Sequence, residues 1–200
     1  YFLKETKKEI EEGDLVYEIN KDKKTLKVIS NKSTKKEIHI PRSVNRWSND
    51  YIITGISKGA FQFSEIKSVN FSANSELLVI DDLAFSESTI ECFTIPPHLK
   101  CIKQCAFNQC YQLRKVEIPT NSKLQTIEKY AFTYTSIENF TIPPHLTKIC
   151  ELTFCNCQQL RTIDIPSNSE LQSIETSAFE GTSIEEIKIP ASLTDLQKGW

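Results

Sequence analysis

Apolar positions fall into trios spaced i, i+3, i+5, and each trio is followed by an apolar pair spaced i, i+3. The trios are Ile66/Val69/Phe71, Ile90/Phe93/Ile95, Leu113/Val116/Ile118, Ile137/Phe140/Ile142, Leu160/Ile163/Ile165 and Ile184/Ile187/Ile189. The last two members of each trio flank one polar residue, which is the period of a strand with one buried face. A proline usually follows and ends the strand, because it has no N–H to give to a ladder. The pairs are Leu77/Ile80, Leu99/Ile102, Leu124/Ile127, Leu146/Ile149, Leu171/Ile174 and Leu193/Leu196. Before each trio stands a small residue followed by Phe: Ala60–Phe61, Ala84–Phe85, Ala106–Phe107, Ala131–Phe132, Thr153–Phe154 and Ala178–Phe179.

The Phe spacings are 24, 22, 25, 22 and 25 residues, and Phe85, Phe132 and Phe179 stand 47 apart. Whole strings return with the longer period: TIECFTIPPHL, SIENFTIPPHL, SIEEIKIPASL. Extra residues fall only in the polar corner after the strand and just after Phe, where a stacked coil tolerates them. A turn of this length cannot bury its own apolar face, whereas stacked turns can. The pattern predicts a right-handed, β-dominated solenoid with one parallel strand per turn, little regular helix and an internal Phe stack. Three residues past each Phe lies a small residue (Ser64, Ser88, Cys110, Thr135, Cys157, Thr182), so Cys110 and Cys157 read as core positions.

The array starts with atypical units. Leu15 to Ile19, a polar NKDKK turn, and Leu26 to Ile29 predict a β-hairpin, and KEIHIP predicts a degenerate first strand. Residues 1–45 are therefore read as an N-terminal cap covering an edge that would otherwise invite aggregation. Residues 46–200 are read as a solenoid of about six turns. The closing LQKGW fits the slots of ISKGAF and stops short of its Phe, so more repeats are expected beyond it.

These residues resemble the BspA-like leucine-rich repeat family, whose frame is roughly L-x-x-I-x-I-P, L-x-x-I, then A-F-x-x-C/S/T. The likeness runs from Ile38 to Trp200 and includes CAFNQCYQLRKVEIP. The alternation of long and short turns and the opening GDLVYEINKDKKTLKVIS are most similar to members from parasitic protists. The resemblance implies a leucine-rich repeat solenoid in a cell-surface or secreted antigen that mediates adhesion or host-protein binding, without catalysis.

Composition adds bounds. Hydrophobic content of 39% with 25% charged residues describes a foldable chain. A formal charge of −2 gives no reason to expect nucleic acid, and no apolar run approaches a membrane span. The Lys21, Lys23, Lys24 and Lys27 group reads as a solvated part of the cap. Seven cysteines (Cys92, Cys101, Cys105, Cys110, Cys150, Cys155, Cys157) are an odd number and lack paired C-x-x-C spacing. They are read as reduced, partly buried thiols, with one disulfide inside a run as the alternative. His98 and His145 share a slot two turns apart, ~10 Å at the ~4.8 Å spacing of strands, too far to share a metal. No GxGxxG, P-loop or HExxH occurs. No catalytic residue, metal or cofactor is expected.

The solvent side of the strand column carries the candidate site. The position after each leading apolar residue reads Lys67, Glu91, Arg114, Glu138, Arg161, Glu185, alternating in sign, which suits a register-fixing charge ladder. The two neighbouring columns supply a candidate binding face for a protein partner: Asn70, Thr94, Lys115, Glu117, Thr141, Thr162, Asp164 and Lys188. No aromatic anchor stands among them. Asn31, Asn70 and Asn139 open N-glycosylation sequons, and glycans on the latter two would crowd this face. A cell-surface or secreted recognition module is the first expectation. An intracellular repeat scaffold in the cytoplasm is the alternative.

Overall fold

The computed structural model describes residues 9–197. These form a β-solenoid of about seven turns, with no helix among the described residues. One strand column holds β4 (Glu37–Ile40), β7 (Ser68–Phe71), β9 (Cys92–Thr94), β11 (Lys115–Glu117), β13 (Asn139–Thr141) and β15 (Thr162–Asp164). In β9, β11, β13 and β15 a buried apolar residue sits between two exposed polar ones, as the period-two pattern requires.

The apolar pairs also contribute strands, so each turn carries a second, shorter ladder that the sequence pattern did not announce. This column holds β3 (Thr25–Asn31), β6 (Asn49–Ile56), β8 (Val79–Ile80), β10 (Cys101–Ile102), β12 (Thr126–Ile127), β14 (Lys148–Ile149), β16 (Ser173–Ile174) and β17 (Asp195–Leu196). Its parallel register puts Ile56, Ile80, Ile102 and Ile127 in one column, and Ile149, Ile174 and Leu196 in another. Two residues are too few to show a period, which is why this ladder is silent in the sequence.

The Ala–Phe corner forms the third side. Phe61, Phe85, Phe107, Phe132, Phe154 and Phe179 stack with ring centroids 5.0 to 5.6 Å apart and planes within 10°. Phe93 and Phe140, from the first column, meet this stack at steep angles, with Phe93 4.9 Å from Phe107 and Phe140 4.8 Å from Phe154. Burying each ring stabilises by roughly 1.5–3 kcal/mol, and well-placed ring pairs add ~0.5–1.5 kcal/mol. The small residue before Phe leaves room for the turn to close.

Each corner holds two residues in the left-handed backbone region, two before and two after the Phe. The first set is Gly59, Leu83, Cys105, Tyr130, Leu152 and Ser177; the second is Phe63, Glu87, Gln109, Tyr134, Asn156 and Gly181. Only one member of each set is glycine, so most turns hold a side chain where it costs ~1 kcal/mol or more. The conformation persists because it turns backbone groups toward the neighbouring turns. Phe61, Phe85 and Phe107 donate their N–H to the carbonyls of Ala84, Ala106 and Ala131, each at 2.8 Å. Phe63, Glu87 and Gln109 donate to Ser86, Asn108 and Thr133 at 2.8 to 3.0 Å.

At the N-terminal end, β1 (Glu9–Glu12), β2 (Leu15–Ile19) and β3 form an antiparallel meander, and β3 then pairs in parallel with β6. An unforeseen hairpin joins β5 (Ser43–Arg46) to β6. Its two-residue turn is Trp47–Ser48, both at positive φ (49° and 61°), without the glycine or asparagine that usually signals such a turn. Val44 and Tyr51 of this hairpin join Ile10, Leu15 and Tyr17 in the one hydrophobic cluster that runs through the molecule. The strand expected over Ile184–Ile189 does not form. No further turn of this column stands above it among the described residues, and Ile189 is 46% exposed. LQKGW extends past the described residues.

Candidate functional face

The exposed side of the first strand column presents the candidate residues. Asn70, Thr94, Lys115, Glu117, Thr141, Thr162, Asp164 and Lys188 are all exposed. Asn70 lies at one end beside His39 of β4, and Lys188 lies past the last strand of the column, so neither joins the central group. Thr94, Lys115 and Glu117 are drawn together: Lys115 Nζ is 2.6 Å from Glu117 Oε1, and Thr94 Oγ1 donates to Glu117 Oε2 at 3.0 Å. The hydrogen bond from Lys115 holds the Glu117 carboxyl below its usual range, and the same bond raises the Lys115 ammonium. Both groups therefore stay charged at neutral pH. On the next pair of strands the Thr162 hydroxyl donates to Asn139 Oδ1, and Thr141 stands opposite Asp164.

Between these two groups the ladder opens. β9 pairs with β11 and β13 with β15, whereas among the described residues β11 and β13 form no ladder and are bridged beside their first residues by the bond from Glu138 N to the Arg114 carbonyl at 3.3 Å. A shallow cavity of about 450 Å³ lies there, lined by Arg114, Lys115, Glu138, Asn139, Thr162 and Asp164. The same opening separates β7 from β9, bridged by Glu91 N to the Lys67 carbonyl at 2.9 Å. In the alternating charge column, only Lys67 and Glu91 close an ion pair among the described residues, at 2.5 Å. The bonded unit is thus two turns long. The 22/25 alternation in the sequence was the available signal, but spacing alone does not say which pairs bond.

The chemistry of the face is that of solvated polar groups, of which Thr94, Lys115 and Glu117, and Asn139 and Thr162, are bonded to one another. Cys92 is exposed on this face, in register with Lys115 of the next turn; the other six cysteines lie elsewhere, and all seven are free. Burial pushes the Cys110 thiol up to about 12 and the Cys157 thiol up to about 11. Each donates to a carbonyl of the preceding turn, Phe85 and Phe132 respectively, at 3.0 Å. Burial likewise raises Cys101, to about 11, and Cys105, Cys150 and Cys155. His98 is exposed, and His145 Nδ1 lies 3.0 Å from Glu170 Oε1. No His/Cys/Asp/Glu group fit to hold a metal occurs among the described residues. Of the sequon asparagines, Asn70 and Asn139 are exposed, while Asn31 is half-buried and its Oδ1 accepts the Ser33 N–H at 2.9 Å.

A second polar cluster, not singled out from the sequence, lines the other strand column. Asp81, with a side chain 15% exposed, lies 2.8 Å from Lys27 Nζ and 2.6 Å from Lys103 Nζ. In later turns a side chain at or near the equivalent slot caps a backbone N–H of the turn before. Glu128 accepts from Gln104 at 3.2 Å, Glu175 from Glu151 at 3.0 Å and Gln197 from Thr176 at 3.2 Å.

A solenoid whose repeated frame is buried and whose strand face is polar and solvated is a leucine-rich repeat scaffold, an architecture suited to protein–protein recognition. The chain belongs to the BspA-type leucine-rich repeat family, whose repeat-region model matches residues 23–90 and 78–200 in six copies. No curated protein matches it. Among solved structures it is similar to a leucine-rich cell surface protein from Faecalibacterium prausnitzii, at 22% identity and a TM-score of 0.80, covering 98% of this chain. It is also similar to the leucine-rich repeat protein of T. pallidum (19% identity, TM-score 0.75, 94% of this chain and 81% of that one). The pneumococcal vaccine antigen PcpA is a more distant likeness (17% identity, TM-score 0.57, 93% of this chain and 71% of that one). These likenesses show the fold. The chain spans 52% of the length of the F. prausnitzii protein.

Proposed function

We propose that this chain is a recognition segment of a cell-surface or secreted repeat protein that binds a host or cell-surface protein through its first strand column, and so mediates adhesion. The observation that carries the proposal is the exposed polar face from Asn70 to Asp164, built of side chains the fold does not need for its core. The similarity to a leucine-rich cell surface protein supports the location. Thr94, Lys115, Glu117, Thr141, Thr162 and Asp164 are the contact residues of this reading. Glycans on Asn70 and Asn139 would oppose it. The division into a cap over residues 1–45 and a solenoid beyond it belongs to the same proposal, as does a place in the parasitic-protist branch, which the alternating turns and the opening motif support.

A second reading is an intracellular scaffold using the same face. Seven free thiols favour it, since oxidising compartments favour disulfides. Labelling intact source cells with a membrane-impermeant amine reagent separates the two. Labelling before lysis supports the surface reading, and protection until lysis sinks it and leaves the scaffold.

A further inference from the structure

The first turn of the solenoid lacks its Ala–Phe corner. Val28 stands in register with Ile56 and Glu37 with Ser68, so both turns share their strand columns. The chain covers the intervening distance in nine residues in the first turn, against twelve in the next. Asn31 and Ser33 form a short side-chain turn that cuts this corner, with Ser33 N donating to Asn31 Oδ1 at 2.9 Å. The rung that would lie under Phe61 is missing. A cavity of about 560 Å³ occupies the place, lined among others by Asn31, Ser33, Thr34, Phe61, Gln62 and Ser64.

In the later corners the carbonyls on either side of the Phe receive N–H groups from the turn before: Ala84 and Ser86, Ala106 and Asn108, Ala131 and Thr133, Thr153 and Cys155, Ala178 and Glu180. The equivalent carbonyls of the first corner, Ala60 and Gln62, have no donor among the described residues. Five successive interfaces of these bonds point the same way, so their peptide dipoles add along the solenoid axis. Their negative end emerges at the cavity, as the carbonyl end of a helix does. Of the charged residues in the lining, Lys35 is paired with Asp14 at 2.7 Å and Glu65 with Lys36.

We propose that this vacant corner is a binding site for a guanidinium group, seated where the missing rung would have donated its N–H groups. A guanidinium carries five N–H donors in a planar fork and no acceptor, so it can serve two carbonyls at once and is attracted by the dipole end. The hydroxyls of Ser33, Thr34 and Ser64 supply further acceptors. The site lies at the end of the coil and is independent of the strand face.

The test titrates N-acetyl-arginine amide into the ¹⁵N-labelled protein and follows the backbone amides of Asn31, Gln62 and Ser64. Saturable shifts with a dissociation constant of the order of 1 mM, the range for so small a ligand, are expected. They should weaken at least tenfold for the citrulline amide, which keeps the shape and loses the charge. Thr34→Trp, which fills the cavity from an exposed position, should abolish the shifts, and Ser33→Trp serves if the first variant unfolds. Absence of saturation, equal affinity for the citrulline compound, or shifts that survive a folded cavity-filling variant would each overturn the proposal. The peptide Ser-Gly-Arg-Gly-Ser binding tenfold tighter than the free amide assigns the guanidinium to a protein segment; equal binding assigns it to a free small cation.

Discussion

Replacing Phe107 by alanine tests whether the ring column holds the array together. Phe107 is fully buried, with stacked rings 5.0 Å below at Phe85 and 5.3 Å above at Phe132, and the edge-on ring of Phe93 at 4.9 Å. Truncating a buried Phe removes its transfer energy and leaves a cavity, together ~3–5 kcal/mol. Neighbours locked into strands on both sides cannot collapse into the gap, which puts Phe107 near the upper limit. Phe179 has one described ring partner, Phe154 at 5.6 Å, and sits in the last described corner. Its truncation should cost about half as much, ~2–3 kcal/mol. Native proteins hold only ~5–15 kcal/mol in all, so Phe107→Ala should lower the urea midpoint by a third or more of its value. Far-UV circular dichroism of both variants against urea reads this directly. Equal losses for the two, or a loss at Phe107 below about 2 kcal/mol, would refute the argument that contacts along the stack carry the stability.

Three further predictions concern thiols, backbone and charge. With Ellman's reagent at pH 8, Cys92 should react fast, Cys101 and Cys105 slowly, and Cys110, Cys150, Cys155 and Cys157 only in denaturant, where all seven should titrate; fast reaction of Cys110 in the folded protein would contradict the burial that raises its thiol. Gly181→Ala should destabilise by over about 1 kcal/mol, because its φ is +71° and a Cβ would stand 2.6 Å from Asn156 Oδ1. Glu87→Gly, at the same slot with φ of 58°, should by contrast be neutral or stabilising by up to about 1 kcal/mol in thermal melts. Burial raises the Asp81 carboxyl, but the bonds from Lys103 and Lys27 outweigh it and leave the carboxyl below its usual value of 3.8. A lowered acid contributes stability above its unfolded value, and that stability is lost as pH falls through the folded one. The stability difference between wild type and Asp81→Asn should therefore be constant from pH 7 to about 5 and shrink below about 4; a difference that persists unchanged into acid would show that the two ion pairs do not act.

What the sequence discloses is what the core repeats. Phe61 to Phe179, and the first two members of the trios from Ile66 to Ile163, stand in buried columns because each needs the same neighbour above and below, so identity recurs at fixed spacing. The left-handed columns left almost no trace. Leu83, Tyr130, Leu152 and Tyr134 occupy conformations that usually select glycine, and stacked backbone bonds override that preference. The Trp47–Ser48 hairpin is hidden in the sequence because neither turn residue is the glycine or asparagine that marks such a turn. The candidate face was legible as columns, since the frame fixes which residues point out. The opening beside Lys115 and Asn139 was not, because it depends on which backbone groups meet. The vacant corner under Phe61 was equally hidden, being the consequence of a turn three residues short.

The pairing of turns bears on how such a chain can lengthen. Bonds in the first strand column close within β4–β7, β9–β11 and β13–β15 and lapse between them. Long and short corners alternate in the same phase, leaving Phe71, Ile118 and Ile165 half-buried while Ile95 and Ile142 are fully covered. Duplicating a single turn would set two corners of one length against each other and break the phase at the junction. Duplicating 47 residues would preserve every junction already present. Recombination that adds or removes coils in such a gene should leave survivors in steps of two, with the lapses in the ladder serving as the seams.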